Sequence, residues 1–277
     1  MRLDQVLKKL FGTTKIDWSD NETFSKIKEY VDTDIQEKLN NHVADFVCEH
    51  FHTPERRIQF KREKISSEGD FLTKKHYAVH VKDNEGLACD KFSFTGIDIA
   101  KNELPEKIKS LLQNLVQDMM KNKWVGEAEI QPRLREIYNQ YSSFEMKDIG
   151  FIKNLSTPKN TISETLFMSE KGAGVHARSA NNYNQLVDLL NLNNKCEKIK
   201  QSDRFQYVYL KTDNKFGIDC IAWKDRYPNE FREIFEVDYK AMFEKTIISP
   251  MKKFLENHKG GTFVAGQTML TENLFDL

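Results

Sequence analysis

The sequence has no apolar run near the roughly 18 residues that a membrane-spanning helix requires. It also has no net charge, since 42 Lys and Arg balance 42 Asp and Glu. The first absence excludes a helical membrane anchor. The second means that affinity for nucleic acid must come from local basic patches rather than from the field of the whole chain. Cysteine is sparse: Cys48, Cys89, Cys196 and Cys220 lie far apart, form no C-x-x-C pair and have no histidine cluster beside them. They read as reduced thiols in a cytosolic setting, with no structural zinc expected. The opening MRLDQVLKKLFG is amphipathic and mixed in charge. It lacks the apolar core and small-residue cleavage site of a secretory signal. No nucleophile elbow, phosphate-binding glycine loop, H-E-x-x-H motif, internal repeat or low-complexity segment occurs.

What remains is a charge-rich globular chain. Its 277 residues are 30% charged and 39% hydrophobic, enough for one large domain or two ordinary ones with a real core. Over 22–51, Phe24, Ile27, Val31, Ile35, Leu39, Val43, Phe46 and Val47 recur at steps of three and four, which predicts one face of a long helix. Arg57 to Ile65 alternates apolar and polar residues, as a strand does. A Ser-Ser-Glu-Gly-Asp turn at 66–70 precedes a second extended run at 75–81, and Asp83-Asn84-Glu85-Gly86 makes a hairpin turn into a return strand over 87–95. Helical spacing resumes after Pro105, with further helices expected at 132–145, 181–192 and 237–257, the last interrupted by Pro250. Two strands are expected at 205–210 and 218–223, and loops carry Pro158 and Gly172-Ala173-Gly174.

Several constellations invite a chemical reading. Glu29 to Ile35, EYVDTDI, carries two aspartates around one threonine, the pattern of a metal-binding turn. It falls inside the helical period, where Asp32 and Asp34 would point about 200° apart, so a helix face or helix junction is expected instead. Between 55 and 75, seven basic residues (Arg56, Arg57, Lys61, Arg62, Lys64, Lys74, Lys75) face four acidic ones, a net of +3. An adjacent lysine pair followed by Tyr77 on a strand can reach the grooves and phosphates of a duplex. The same charges also suit a solvated edge strand kept soluble by lysine. Glu63 stands between Arg62 and Lys64 on the other strand face; it reads as a ligand or, more simply, as a salt-bridged residue. His76 and His80 share a strand face with nothing to complete a metal set. The last residues hold Leu270, Leu274, Phe275 and Leu277 in a polar setting. They suit a peptide that docks in a groove, or a tail that packs back on its own domain.

In order and spacing these segments resemble the C-terminal part of family B DNA polymerases, especially the T-even-like bacteriophage type. Phe60 to Ile65 is similar to that family's R-E-x-I strand, and Lys74-Lys75-His76-Tyr77-Ala78 to its K-K-R-Y-A motif with His in place of Arg. Asp83 to Gly86 matches the hairpin that follows. Gly96 to Pro105 resembles the crossing from palm to thumb, with Lys101 in the basic position. His176-Ala177-Arg178 with Asn182-Tyr183-Asn184 is similar to a thumb motif, Cys220-Ile221-Ala222-Trp223 to a thumb strand, and Leu274 to Leu277 to the tail that holds the sliding clamp. The family's Y-G-D-T-D-S turn belongs well upstream of the helix that holds EYVDTDI. Its other catalytic segments, including the exonuclease carboxylates, are likewise expected upstream and are not found here.

The resemblance implies an α+β fold: a partial palm over 1–104 with antiparallel strands and a long helix, a mainly helical thumb over 105–257, and a clamp-binding tail over 258–277. It implies the C-terminal subunit of a split DNA-directed DNA polymerase in a host-cell cytoplasm, inactive alone. Lys74, Lys75 and Tyr77, with Arg62, would hold primer–template duplex, and Lys101 and Arg178 would grip phosphates. Glu63 would act as an auxiliary carboxylate near the catalytic centre. Leu270, Leu274, Phe275 and Leu277 would seat on the clamp. Mg2+ would be held mainly by a partner chain carrying the N-terminal polymerase and exonuclease parts. Two other classes are open at this level: a DNA-binding accessory protein that tethers factors to the clamp, and a small nuclease using Asp32 and Asp34.

Overall fold

A computed structural model of the chain describes residues 3–52, 58–124, 127–155 and 174–257. The fold is α+β, with helices and, among the described residues, two three-stranded sheets. Among the described residues no helix is long and apolar enough to cross a membrane. Leu270, Leu274, Phe275 and Leu277, expected to seat on a clamp, lie outside the described residues, as do the loop around Pro158 and the start of the strand expected from Arg57.

The chain divides into two compact units. One comprises 1–69 with 78–93, the other 70–77 with 94–277. The palm-to-thumb boundary expected at 104 falls inside the second unit.

The first unit begins with helices α1 (Leu3–Phe11) and α2 (Asn21–Glu29). Asp20 caps α2 by accepting the amides of Glu22 and Thr23, donors that a helix start leaves unpaired. Tyr30–Ile35 is a π-helical turn, and α3 (Gln36–Phe51) follows without a break. EYVDTDI is therefore a helix junction. The added residue of a π turn rotates everything downstream about the helix axis. The apolar stripe consequently splits: Ile27 and Ala44 are buried, whereas Leu39 and Phe46 remain exposed.

Strands β1 (Lys64–Thr73), β2 (His76–Asn84) and β3 (Leu87–Thr95) form a sheet in that order. Ser66 to Asp70, expected as a turn, lies within β1. The reversal comes later, at Lys74-Lys75, where Lys75 takes the left-handed φ of 64°. Residues 58–63 precede β1 and are not part of the sheet. The β2–β3 turn is as expected: Glu85 and Gly86 both have positive φ, the requirement of a type I′ hairpin.

In the second unit, α4 (Glu106–Asn122) starts at Pro105 and buries Ile108, Leu112, Leu115, Val116 and Met119. Helix α5 (Glu127–Tyr141) starts earlier than expected and contains Pro132 in its interior. After the short α6 (Met146–Ile149), strands β4 (Phe151–Asn154), β5 (Arg204–Tyr209) and β6 (Cys220–Trp223) make an antiparallel sheet. Phe151 pairs with Tyr207, and Tyr209 with Cys220. Helix α7 (Val175–Leu189) packs on β6 and buries Ala177, Ala180 and Tyr183. The expected 181–192 helix thus begins six residues earlier, at Val175. The chain continues through α8 (Asn229–Ile234), α9 (Tyr239–Phe243), a π turn over Glu244–Ile248, and α10 (Ser249–Asn257).

Candidate nucleic-acid interface

The described residues singled out from the sequence are spread over several settings, among them a buried ion-pair network and an exposed hairpin end. Arg62 belongs to the first. Its side chain is only 10% exposed. Nε and Nη2 donate to the two oxygens of Asp32 at 2.5 and 3.0 Å, and Nη1 donates to Asp83 Oδ1 at 2.5 Å. Fork-to-carboxylate geometry of this kind fixes direction as well as distance. Asp83 is fully buried and also accepts the Gly86 amide, and Lys28 lies 3.3 Å from its second oxygen. Burial works to raise the Asp83 carboxyl, but the Arg62 bond, the Gly86 amide and Lys28 outweigh it and hold it below the ordinary carboxylate range. Arg62 is therefore committed within the first unit, which leaves little of it for a phosphate.

The same network answers the question of the two aspartates. Asp32 pairs with Arg62, and Asp34 pairs with Lys38 at 2.8 Å. They face different cations. Among the described residues no group of three His, Cys, Asp or Glu side chains is arranged to hold a metal ion. Glu63 is exposed, and its carbonyl accepts the Glu85 amide at 2.5 Å, so its main chain helps to close the β2–β3 turn.

Lys74, Lys75 and Tyr77 occupy the hairpin end in the second unit, with both lysines exposed. Neither ammonium pairs with a carboxylate among the described residues. The end is held from within. His76 Nδ1 donates to the Lys74 carbonyl at 2.9 Å, which fixes the proton on that nitrogen and turns Nε2 away from the bond. His76 therefore does a turn-closing job at the place where the resembled motif carries arginine. A Cβ added to Gly96, whose φ is +66°, would stand 2.1 Å from the Lys75 carbonyl oxygen, so only glycine permits this approach. Phe71 and Tyr77 form a tilted ring pair at 5.6 Å, and Phe71 is 73% exposed.

Lys101 is exposed and pairs with Asp98 at 2.8 Å. Arg178, on α7, reaches Asp219 Oδ2 at 2.5 Å. Next to the start of α7 lies a cleft of about 710 Å³ lined by Glu103, Glu106, Lys109, Lys153, His176 and Arg204, among others. Lys109 pairs with Glu106 at 2.7 Å, and Lys153 with Glu103. Burial, and then the Lys153 charge, hold His176 below its ordinary value against the pull of Glu103. His176 is thus a neutral imidazole at neutral pH.

Sequence reasoning passed over three of these features. From the sequence Asp83 reads only as a turn residue; its buried partner lies 21 positions earlier in the chain. Phe71 was hidden by the expectation of a turn over 66–70. The cleft gathers residues from 102 to 204, a separation no local pattern reports. No protein-family model matches the chain, and no curated protein matches it.

Proposed function

We propose that the chain is the C-terminal, duplex-gripping part of a family B type DNA polymerase, working with a separate chain that supplies the catalytic aspartates. The observation that carries this reading is that the resembled motifs meet in pairs. The strand motif at 60–65 joins the Asp83 hairpin through Arg62. The Lys-Lys-His-Tyr motif joins the Gly96 crossing through the Lys75 carbonyl. The motif around Asn182 joins the Cys220 strand through a 2.9 Å bond from Asn182 Nδ2 to the Cys220 carbonyl. Segments similar in order to one family and also in mutual contact are harder to attribute to chance than either property alone.

In this reading the unpaired ammonium groups of Lys74 and Lys75 lie against duplex phosphates and the minor-groove acceptors that every base pair shares. Such contacts position DNA without choosing a sequence. Lys101 and Arg178 already have acidic neighbours and add a weaker, more salt-sensitive grip. Magnesium-assisted phosphoryl transfer needs converging carboxylates. Asp32 and Asp34 are spent on Arg62 and Lys38, so the ions are assigned to the partner chain. The described apolar surface supports a mate as well. Six of the eight large apolar residues left exposed (Leu39, Phe46, Phe51, Ile58, Phe60, Leu87) belong to the first unit. The association would be permanent and would bury more than about 2,000 Å². The tail over 258–277 would hold a sliding clamp.

The test is duplex affinity by fluorescence anisotropy at several salt concentrations. Lys75→Ala should weaken binding about equally for unrelated sequences and flatten the log–log salt slope by about 0.9, the loss of one phosphate contact. Unchanged affinity at moderate salt removes the role.

A further inference from the structure

We infer that the β1–β2 hairpin end also binds an unpaired base of nucleic acid, stacked on the open face of Phe71. The inference rests on the duplex-gripping reading of the neighbouring lysines and extends it to a second kind of ligand. Phe71 is 73% exposed near the end of a ten-residue strand. Tyr77 covers it from one direction only, at 5.6 Å and 35° between the ring planes. Lys74 and Lys75 stand three and four residues further along the same hairpin, exposed and without carboxylate partners among the described residues.

An aromatic face on the same hairpin end as two exposed cations has the composition of a single-strand platform, where bases stack and ammonium groups follow the backbone. A paired base inside a duplex offers no ring face, so Phe71 selects for a base out of its stack: a frayed primer end or a single-stranded stretch of template. A protein partner fits less well, because the buried centre of a protein interface is depleted in lysine.

The site is also preformed. The Gly96 contact and the His76 bond to the Lys74 carbonyl hold the turn in one conformation, so a base that docks there does not have to order the loop. Phe71 is thus a binding residue for the unpaired strand and is distinct from the lysines, which serve both strands alike.

The experiment compares a single-stranded oligonucleotide carrying 2-aminopurine with the matching duplex, each titrated with the full chain and with Phe71→Ala, Phe71→Trp and Lys75→Ala. The wild-type chain should quench the single-strand 2-aminopurine signal. Phe71→Ala should lose the quench and roughly fivefold or more of single-strand affinity, with duplex affinity held within about twofold, and Phe71→Trp should restore both. Single-strand binding by Phe71→Ala equal to wild type, or an equal loss on both ligands, overturns the inference. If Lys75→Ala leaves duplex affinity intact while the Phe71 effects persist, the duplex-gripping role fails and the stacking site stands.

Discussion

Arg62 presents three nitrogens to two carboxylates, one from the helix junction and one from the β2–β3 hairpin, and so ties those elements together inside the first unit. Removing one member of such a group leaves the others buried and uncompensated. Arg62→Ala is therefore expected to cost about 3 kcal/mol, read as a lower urea midpoint for unfolding. The pH dependence follows from Asp83, whose folded pKa lies below its unfolded value. Its contribution to stability is complete above about pH 4 and declines as the pH falls through the lowered folded pKa. Asp83→Asn should flatten the acid limb of a stability–pH curve, and an unchanged limb would show that the carboxylate contributes nothing there. At this scale the sequence is legible in kind only. Arg62, Lys74 and Lys75 are recognisable as a basic cluster, but the first is buried by partners 30 residues before it and 21 after it, while the lysines stay bare. Local pattern carries no information on such distant neighbours.

Among the described residues two π turns shape the helices, and neither is visible as a break in periodicity. The turn over Tyr30–Ile35 keeps the chain helical while rotating α3, so the residue buried is Ala44 and the residues presented outward include Leu39 and Phe46. The turn over Glu244–Ile248 immediately precedes Pro250, which has no amide hydrogen to donate to the Thr246 carbonyl and whose ring would crowd it. Widening the helix relieves both problems. Pro250 thus announced an interruption correctly, and only its form was unread. Thr246 uses its single hydroxyl hydrogen on the Met242 carbonyl at 2.8 Å, so Tyr141 must be the donor in the 2.9 Å bond between Tyr141 Oη and Thr246 Oγ1. Burial pushes the Tyr141 phenol above its ordinary value and keeps that proton in place. Tyr141→Phe should destabilise the second unit by about 1 kcal/mol with little change in its core, measured by chemical denaturation. A neutral result would mean that the bond contributes nothing net. The longer helices were readable from spacing, whereas the short α6 and α8 were not. Boundaries were less so: Val175, which follows the N-cap Gly174, and Glu127 both begin helices ahead of the expected starts.

Across the whole chain the apolar residues are unevenly used. Among the described residues nearly all of the largest fully buried side chains, Trp223, Tyr141, Phe205, Phe231, Phe243 and Phe254 among them, belong to the second unit, and Ile27 alone represents the first. The first unit instead exposes an apolar surface on α3 and on the segment beside it, where Asn40 holds the Phe60 main chain by two hydrogen bonds. Large exposed apolar patches mark interaction sites. The α+β class was legible in the sequence, but the particular residues exposed were not, since the rotation of α3 decides them. The measurement that bears most directly on the proposal of a duplex-gripping chain working with catalytic aspartates from a partner is primer extension. The tagged chain is assayed alone, and again as the complex recovered with it from the cells in which it is made. The expected result is no nucleotide incorporation by the isolated chain and templated, magnesium-dependent incorporation by the complex. Extension by the isolated chain, or a recovered complex that never extends a primer, would contradict it.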